Sequence, residues 1–134
     1  MIQLPPRFIR TEFVDPLTIA FTLFATSAFA AEARWRNVAT ITPVISANDN
    51  SYASVISCLE GTTKIECTLV LYEKNWLGVY SEVSRSSSTY YGHTHTFSGT
   101  TNIKSGKTYK LVTTATVTRN GFSEDVSDTF EKKC

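Results

Sequence analysis

From residue 37 onward, short runs with a two-residue period of apolar and polar side chains alternate with clusters of turn formers, and no 3.6-residue period is present. The clearest run covers 107–118, where Tyr109, Leu111, Thr113, Ala115 and Val117 share one face. Asn120-Gly121 follows, a strong signal for a two-residue hairpin because both central positions of a type I′ turn need positive φ. Residues 122–130 then run back, with Phe122, Val126 and Phe130 expected inward. Residues 65–74 place Ile65, Cys67, Leu69 and Leu71 on one face against Glu66 and Thr68. Val70 and Tyr72 spoil the polar face, which predicts a central strand.

Four further strands are expected. The run 37–46 is interrupted by Pro43, which cannot donate to a ladder and so belongs on a sheet edge or at a bulge. Ala47-Asn48-Asp49-Asn50 turns the chain into 51–59, and 60–63 turns it again. Asn75 ends the run at 74, and 77–85 resumes the alternation through Leu77, Val79 and Val83. The serine-rich stretch 85–89 suits a loop, and 91–98 is a short polar strand with His93, His95 and Phe97 on one side. Seven strands at roughly ten-residue spacing predict an all-β fold, a seven-stranded Greek-key sandwich, in a single domain over 31–134.

The first thirty residues obey a different pattern. Leu17 to Ala30 is apolar and uncharged, too short to span a bilayer, and ends in Ala28-Phe29-Ala30. That is the core and A-x-A site of a cleavable signal peptide over 1–30, and it predicts a secreted, extracellular mature chain beginning at Ala31 with no transmembrane segment. Residues 1–16 fit less well, since Glu12 and Asp15 offset Arg7 and Arg10 where a net-positive region is expected.

Export changes the meaning of the three cysteines, because disulfides persist outside the cell. Cys58 and Cys67 flank the turn at 60–63 and are the expected bridge, ahead of any bridge using Cys134. Cys134 is then left free for intermolecular pairing, including a disulfide-linked dimer.

The segment from Ser105-Gly106-Lys107-Thr108-Tyr109 through Ala115, Val117 and Asn120-Gly121 resembles the F–G hairpin of fibronectin type III domains. The resemblance implies an immunoglobulin-like sandwich in which Tyr109 locks a corner through its hydroxyl. The early-strand tryptophan usual in that family is missing from 51–59. The mature chain is also similar to small secreted bacterial proteins of unknown function that pair a Trp-Arg-Asn start with a Gly-Thr-Thr-Lys-Ile turn, as in Trp35-Arg36-Asn37 and Gly61 to Ile65. Neither resemblance implies an activity.

Chemistry is sparse. A formal net charge of +1 supplies no basic stripe for phosphates, so no nucleic-acid partner is expected. His93 and His95 form an H-x-H pair, but residues 90–101 contain no Cys, Asp or Glu to complete a zinc site, and no metal or cofactor is expected. Glu60, Glu66, Glu73, Glu82, Glu124, Asp125 and Asp128 fall at solvent-facing spacings. No phosphate loop or nucleophile elbow occurs, and an enzyme is not expected. Trp76, Tyr80, Tyr90 and Tyr91 lie near loops and strand ends, where aromatic faces can stack on sugars or anchor a protein. The first expectation is therefore a non-catalytic extracellular binding or adhesion module for a protein or glycan. A small secreted effector or inhibitor acting through one loop comes second, and an extracellular hydrolase third.

Overall fold

A computed structural model describes residues 35–134. The expected leader, its cleavage site and residues 31–34 lie outside the described residues. Residues 35–134 form a compact unit of seven strands: β1 (Val38–Ser46), β2 (Ser51–Cys58), β3 (Thr62–Lys74), β4 (Tyr80–Tyr90), β5 (Thr94–Thr100), β6 (Thr108–Arg119) and β7 (Phe122–Lys133). They make two antiparallel sheets, ordered β1-β2-β5 and β4-β3-β6-β7. Ile45, Tyr52, Ile56 and Phe97 from the first sheet share one buried core with Ile65, Leu69, Leu71, Leu111 and Val117 from the second. The fold is thus an all-β, sandwich-like pair of sheets with an interior of its own.

The strongest alternations dictate the two central strands of the larger sheet. Tyr109, Leu111, Thr113, Ala115 and Val117 are all buried along β6, and Ile65, Cys67, Leu69 and Leu71 along β3. Asn120 and Gly121 have φ of 51° and 82°, as a type I′ turn demands, and β6 and β7 pair in register around them. Asn50 also adopts positive φ, 50°, in the β1–β2 turn. Pro43 sits on β1, whose single ladder neighbour is β2, so its missing N–H costs no sheet bond.

Three expectations need correction. The serine-rich stretch 85–89 is strand, not loop: β4 runs unbroken to Tyr90, with Ser84, Ser86, Ser87 and Ser88 each opposite a β3 residue. Serine has little strand preference, but the central β3 offers a full ladder, and tertiary pairing overrides propensity. Residues 77–79 are not strand. They form the β3–β4 hairpin tip, and Val83 falls at a register shift between Leu71 and Tyr72. Phe122 is 75% exposed, because it leaves the Asn120-Gly121 turn beyond the end of the core, while Val126 is buried and Phe130 packs against the core rim.

Side-chain hydrogen bonds fix both ends of the unit. At one pole, the Glu60 carbonyl accepts from Arg119 Nε at 2.7 Å, and the Glu124 carboxylate accepts the backbone N–H groups of Arg36 and Asn37 at 2.7–3.0 Å. The buried Asn37 amide donates to the carbonyls of Val117 and Phe122. At the other pole, the Tyr109 hydroxyl accepts the Lys104 N–H at 2.7 Å. Tyr109→Phe leaves that N–H without its acceptor and is expected to destabilise by about 1 kcal/mol, a fall in Tm of roughly 4–8 °C by thermal denaturation. An unchanged midpoint would mean the hydroxyl does not hold the corner.

Candidate functional site

The four aromatics singled out from the sequence separate into two groups. Trp76 and Tyr80 lie at one end of β4, and Tyr90 and Tyr91 at the other, about 30 Å away at the usual rise per strand residue. They cannot line one binding surface. Tyr90 stacks on His95 with ring centroids 4.0 Å apart, and His95 meets the edge of Phe97 at 4.8 Å. His95 is therefore half-buried packing rather than a solvent-facing ligand, while His93 is exposed. Tyr80 lies beneath Lys110, whose Nζ is 4.4 Å from the ring centroid, with Lys74 at 5.7 Å. Burial first, then the neighbouring Glu131 carboxylate, push the Tyr80 phenol above its ordinary range. Tyr91 is 76% exposed near the far pole.

Trp76 is 89% exposed and does not stand alone. Leu77 and Val79 are also well exposed on the same five-residue tip, Asn75 to Val79. Its geometry is fixed by Asn75. The Asn75 side-chain oxygen accepts the N–H of Leu77 and of Val79, each at 2.9 Å, the Asn75 N–H donates to Val79 O at 2.9 Å, and Gly78 N–H returns to Asn75 O at 3.0 Å. Gly78 supplies the required positive φ of 85°. The sequence therefore holds an apolar tip in a single shape by satisfying its backbone locally. Leu77 and Val79 escape a reading by alternation, because their spacing mimics a strand. The Asn75…Gly78 pair was the signal that places them on a turn.

Lysines gather at the root of this hairpin from three separate segments. Lys74 closes the tip opposite Tyr80, Lys110 covers Tyr72 and Tyr80, and Lys104 and Lys107 approach Glu73 at 3.9 and 3.6 Å.

The outer face of the larger sheet is different in character. Ser87, Thr68, Thr114 and Ser127 align in one cross-strand row, next to Thr89, Glu66, Thr116 and Asp125. These groups bond one another, as in Thr68–Ser87 at 2.9 Å and Thr116–Asp125 at 2.7 Å, over a shallow open depression. Among the described residues, no group of three or more His, Cys, Asp and Glu is arranged to hold a metal, and no helix is long and apolar enough to cross a membrane.

The cysteines do not form the expected Cys58–Cys67 bridge; Cys58, Cys67 and Cys134 are all free thiols. The short turn between β2 and β3 carries the chain from one sheet to the other. Cys67 lies five residues into β3, about 16 Å beyond its start, whereas Cys58 is the last residue of β2, and a disulfide spans only about 6 Å between Cα atoms. Cys134 lies at the opposite pole, its N–H bonded to Lys107 O. Burial pushes the Cys58 thiol up to about 11 and the Cys67 thiol up to about 12. Iodoacetamide at pH 8 is thus expected to modify only Cys134 in the native protein and all three cysteines after unfolding. A mass spectrum in which Cys58 and Cys67 stay unmodified after unfolding without reductant would restore the bridge. The sequence matches no protein-family model, and no curated protein matches it.

Proposed function

We propose that the chain is the precursor of a secreted, non-catalytic extracellular binding or adhesion module, released from a leader over 1–30 and recognising its partner with the β3–β4 hairpin tip. The domain is a seven-stranded Greek-key sandwich of immunoglobulin-like, fibronectin type III-like form. Support for that form comes from the strand order β1-β2-β5 and β4-β3-β6-β7 and from the bonded hydroxyl of Tyr109 at the corner before β6. β2 has no tryptophan, and Tyr52 and Ile56 fill its share of the interior.

The observation that carries the functional reading is the exposure of Trp76, Leu77 and Val79 together on a turn fixed by Asn75. Apolar side chains carried on a turn of fixed backbone leave little backbone entropy to lose on binding, and tryptophan is among the residues enriched at binding hot spots. The test uses the 31–134 polypeptide, whose sheets and core are complete in themselves, on a glycan array and on intact cells. Binding is expected to fall at least tenfold in Trp76→Ala while the thermal midpoint is unchanged; binding that survives the substitution would refute the assignment. The same rigid tip also suits a secreted inhibitor acting through one loop. Trp76-dependent inhibition of an extracellular protease, without glycan or cell binding, would favour that second reading.

A further inference from the structure

Resting on the hairpin as the recognition element, we infer that its partner is the surface of an anionic phospholipid bilayer, into which Trp76, Leu77 and Val79 insert while lysines at the hairpin root meet the headgroups. Three observations lead there. The first is the chemistry of the tip. An indole beside two aliphatic side chains matches the boundary between headgroups and acyl chains, where tryptophan is enriched and Leu or Val can enter hydrocarbon. A polyanionic polymer would satisfy the lysines but leave Leu77 and Val79 in water.

The second is shape. The tip is a convex turn of five residues, and Trp76, the largest of its three apolar side chains, presents on the order of 200 Å². A stable protein interface needs about 800 Å² on each partner and a complementary hollow. A fluid bilayer closes around a small protrusion without either.

The third is the distribution of charge. Lys74, Lys104, Lys107, Lys110, Lys132 and Lys133 all lie toward the pole that bears the tip, whereas Lys64, Arg36 and Arg119 lie toward the other. The carboxylates on the tip's side are Asp49, Glu73, Glu82 and Glu131, with Asp128 near mid-sheet opposite Thr113, and Glu82 is held by Arg85 at 2.9 Å. Glu60, Glu66, Glu124 and Asp125 lie toward the opposite pole. The field therefore turns the apolar tip toward a negative surface.

The experiment mixes the 31–134 polypeptide with vesicles of 30% phosphatidylglycerol in phosphatidylcholine and with pure phosphatidylcholine, and measures co-sedimentation and Trp76 emission, taken as wild type minus Trp76→Phe. Residues 1–30 are omitted because the apolar run at 17–30 would itself enter lipid. The anionic vesicles are expected to shift Trp76 emission to the blue. Partitioning should drop about tenfold in Trp76→Ala and in Leu77→Glu, again in Lys74→Glu with Lys107→Glu, and with added salt. Both tip residues are exposed, so these variants retain the fold, which circular dichroism checks. Equal binding to neutral vesicles, binding indifferent to the tip variants, or no sedimentation would each overturn the inference. No sedimentation alongside Trp76-dependent glycan or cell binding overturns the bilayer alone; loss of every Trp76-dependent interaction overturns the binding module with it.

Discussion

Gly99→Ala is expected to destabilise the domain by about 2–3 kcal/mol, read as a lowered denaturation midpoint in urea, although it adds a single methyl group. Gly99 on β5 lies directly opposite Tyr52 on β2, and the tyrosine ring covers the glycine. A Cβ at Gly99 would overlap Cζ and Oη of Tyr52 and would sit 2.9 Å from Cε2. The ring has nowhere to retreat: Tyr52 is 1% exposed, and its hydroxyl is bonded to Ser84 Oγ at 2.6 Å in the other sheet. Yielding to the methyl would therefore break an inter-sheet bond or force the ring off its rotamer. Glycine within a strand normally weakens it, and here an aromatic on the neighbouring strand covers the gap. A midpoint shift below about 1 kcal/mol would mean the Tyr52 ring is not held as described.

The second large effect concerns the hydroxyl pair between the sheets. Ser54 Oγ and Thr113 Oγ1 are 2.6 Å apart, and both residues are fully buried. Thr113→Val keeps the shape but strands the Ser54 hydroxyl, at a cost of about 2 kcal/mol; Ser54→Ala does the same to Thr113. The double variant removes both polar groups and should cost less than either single variant, about 1 kcal/mol, giving a coupling of about 3 kcal/mol in a double-mutant cycle of urea midpoints. Additive losses would mean that each hydroxyl is satisfied elsewhere.

The parts of the fold legible in the sequence were those that one strand decides for itself. Alternation placed Tyr109 to Val117 and Ile65 to Leu71 inward, Asn120-Gly121 announced its hairpin, and Pro43 marked an edge. What escaped depends on the neighbour. Residues 85–89 are strand because β3 pairs with them, and the turn after Cys58 looks like a hairpin although it changes sheets. The candidate site divides in the same way. Trp76 is visible as an aromatic near a break, but Leu77 and Val79 alternate like strand residues, and the lysines converge from β3, the β5–β6 loop and β6. No local pattern encodes that convergence.

Open sheets invite strand addition from other chains, and each of the four outer strands carries a feature that discourages it. β1 has Pro43. β4 breaks register at Val83 between the paired Glu82 and Arg85. β5 is only seven residues long, and β7 is lined with Glu124, Asp125, Asp128, Glu131, Lys132 and Lys133. A chain so protected along its flanks can remain dispersed at high concentration while keeping an apolar turn in water. Self-assembly along the strands is discouraged, and the molecule is left to make its contacts end-on.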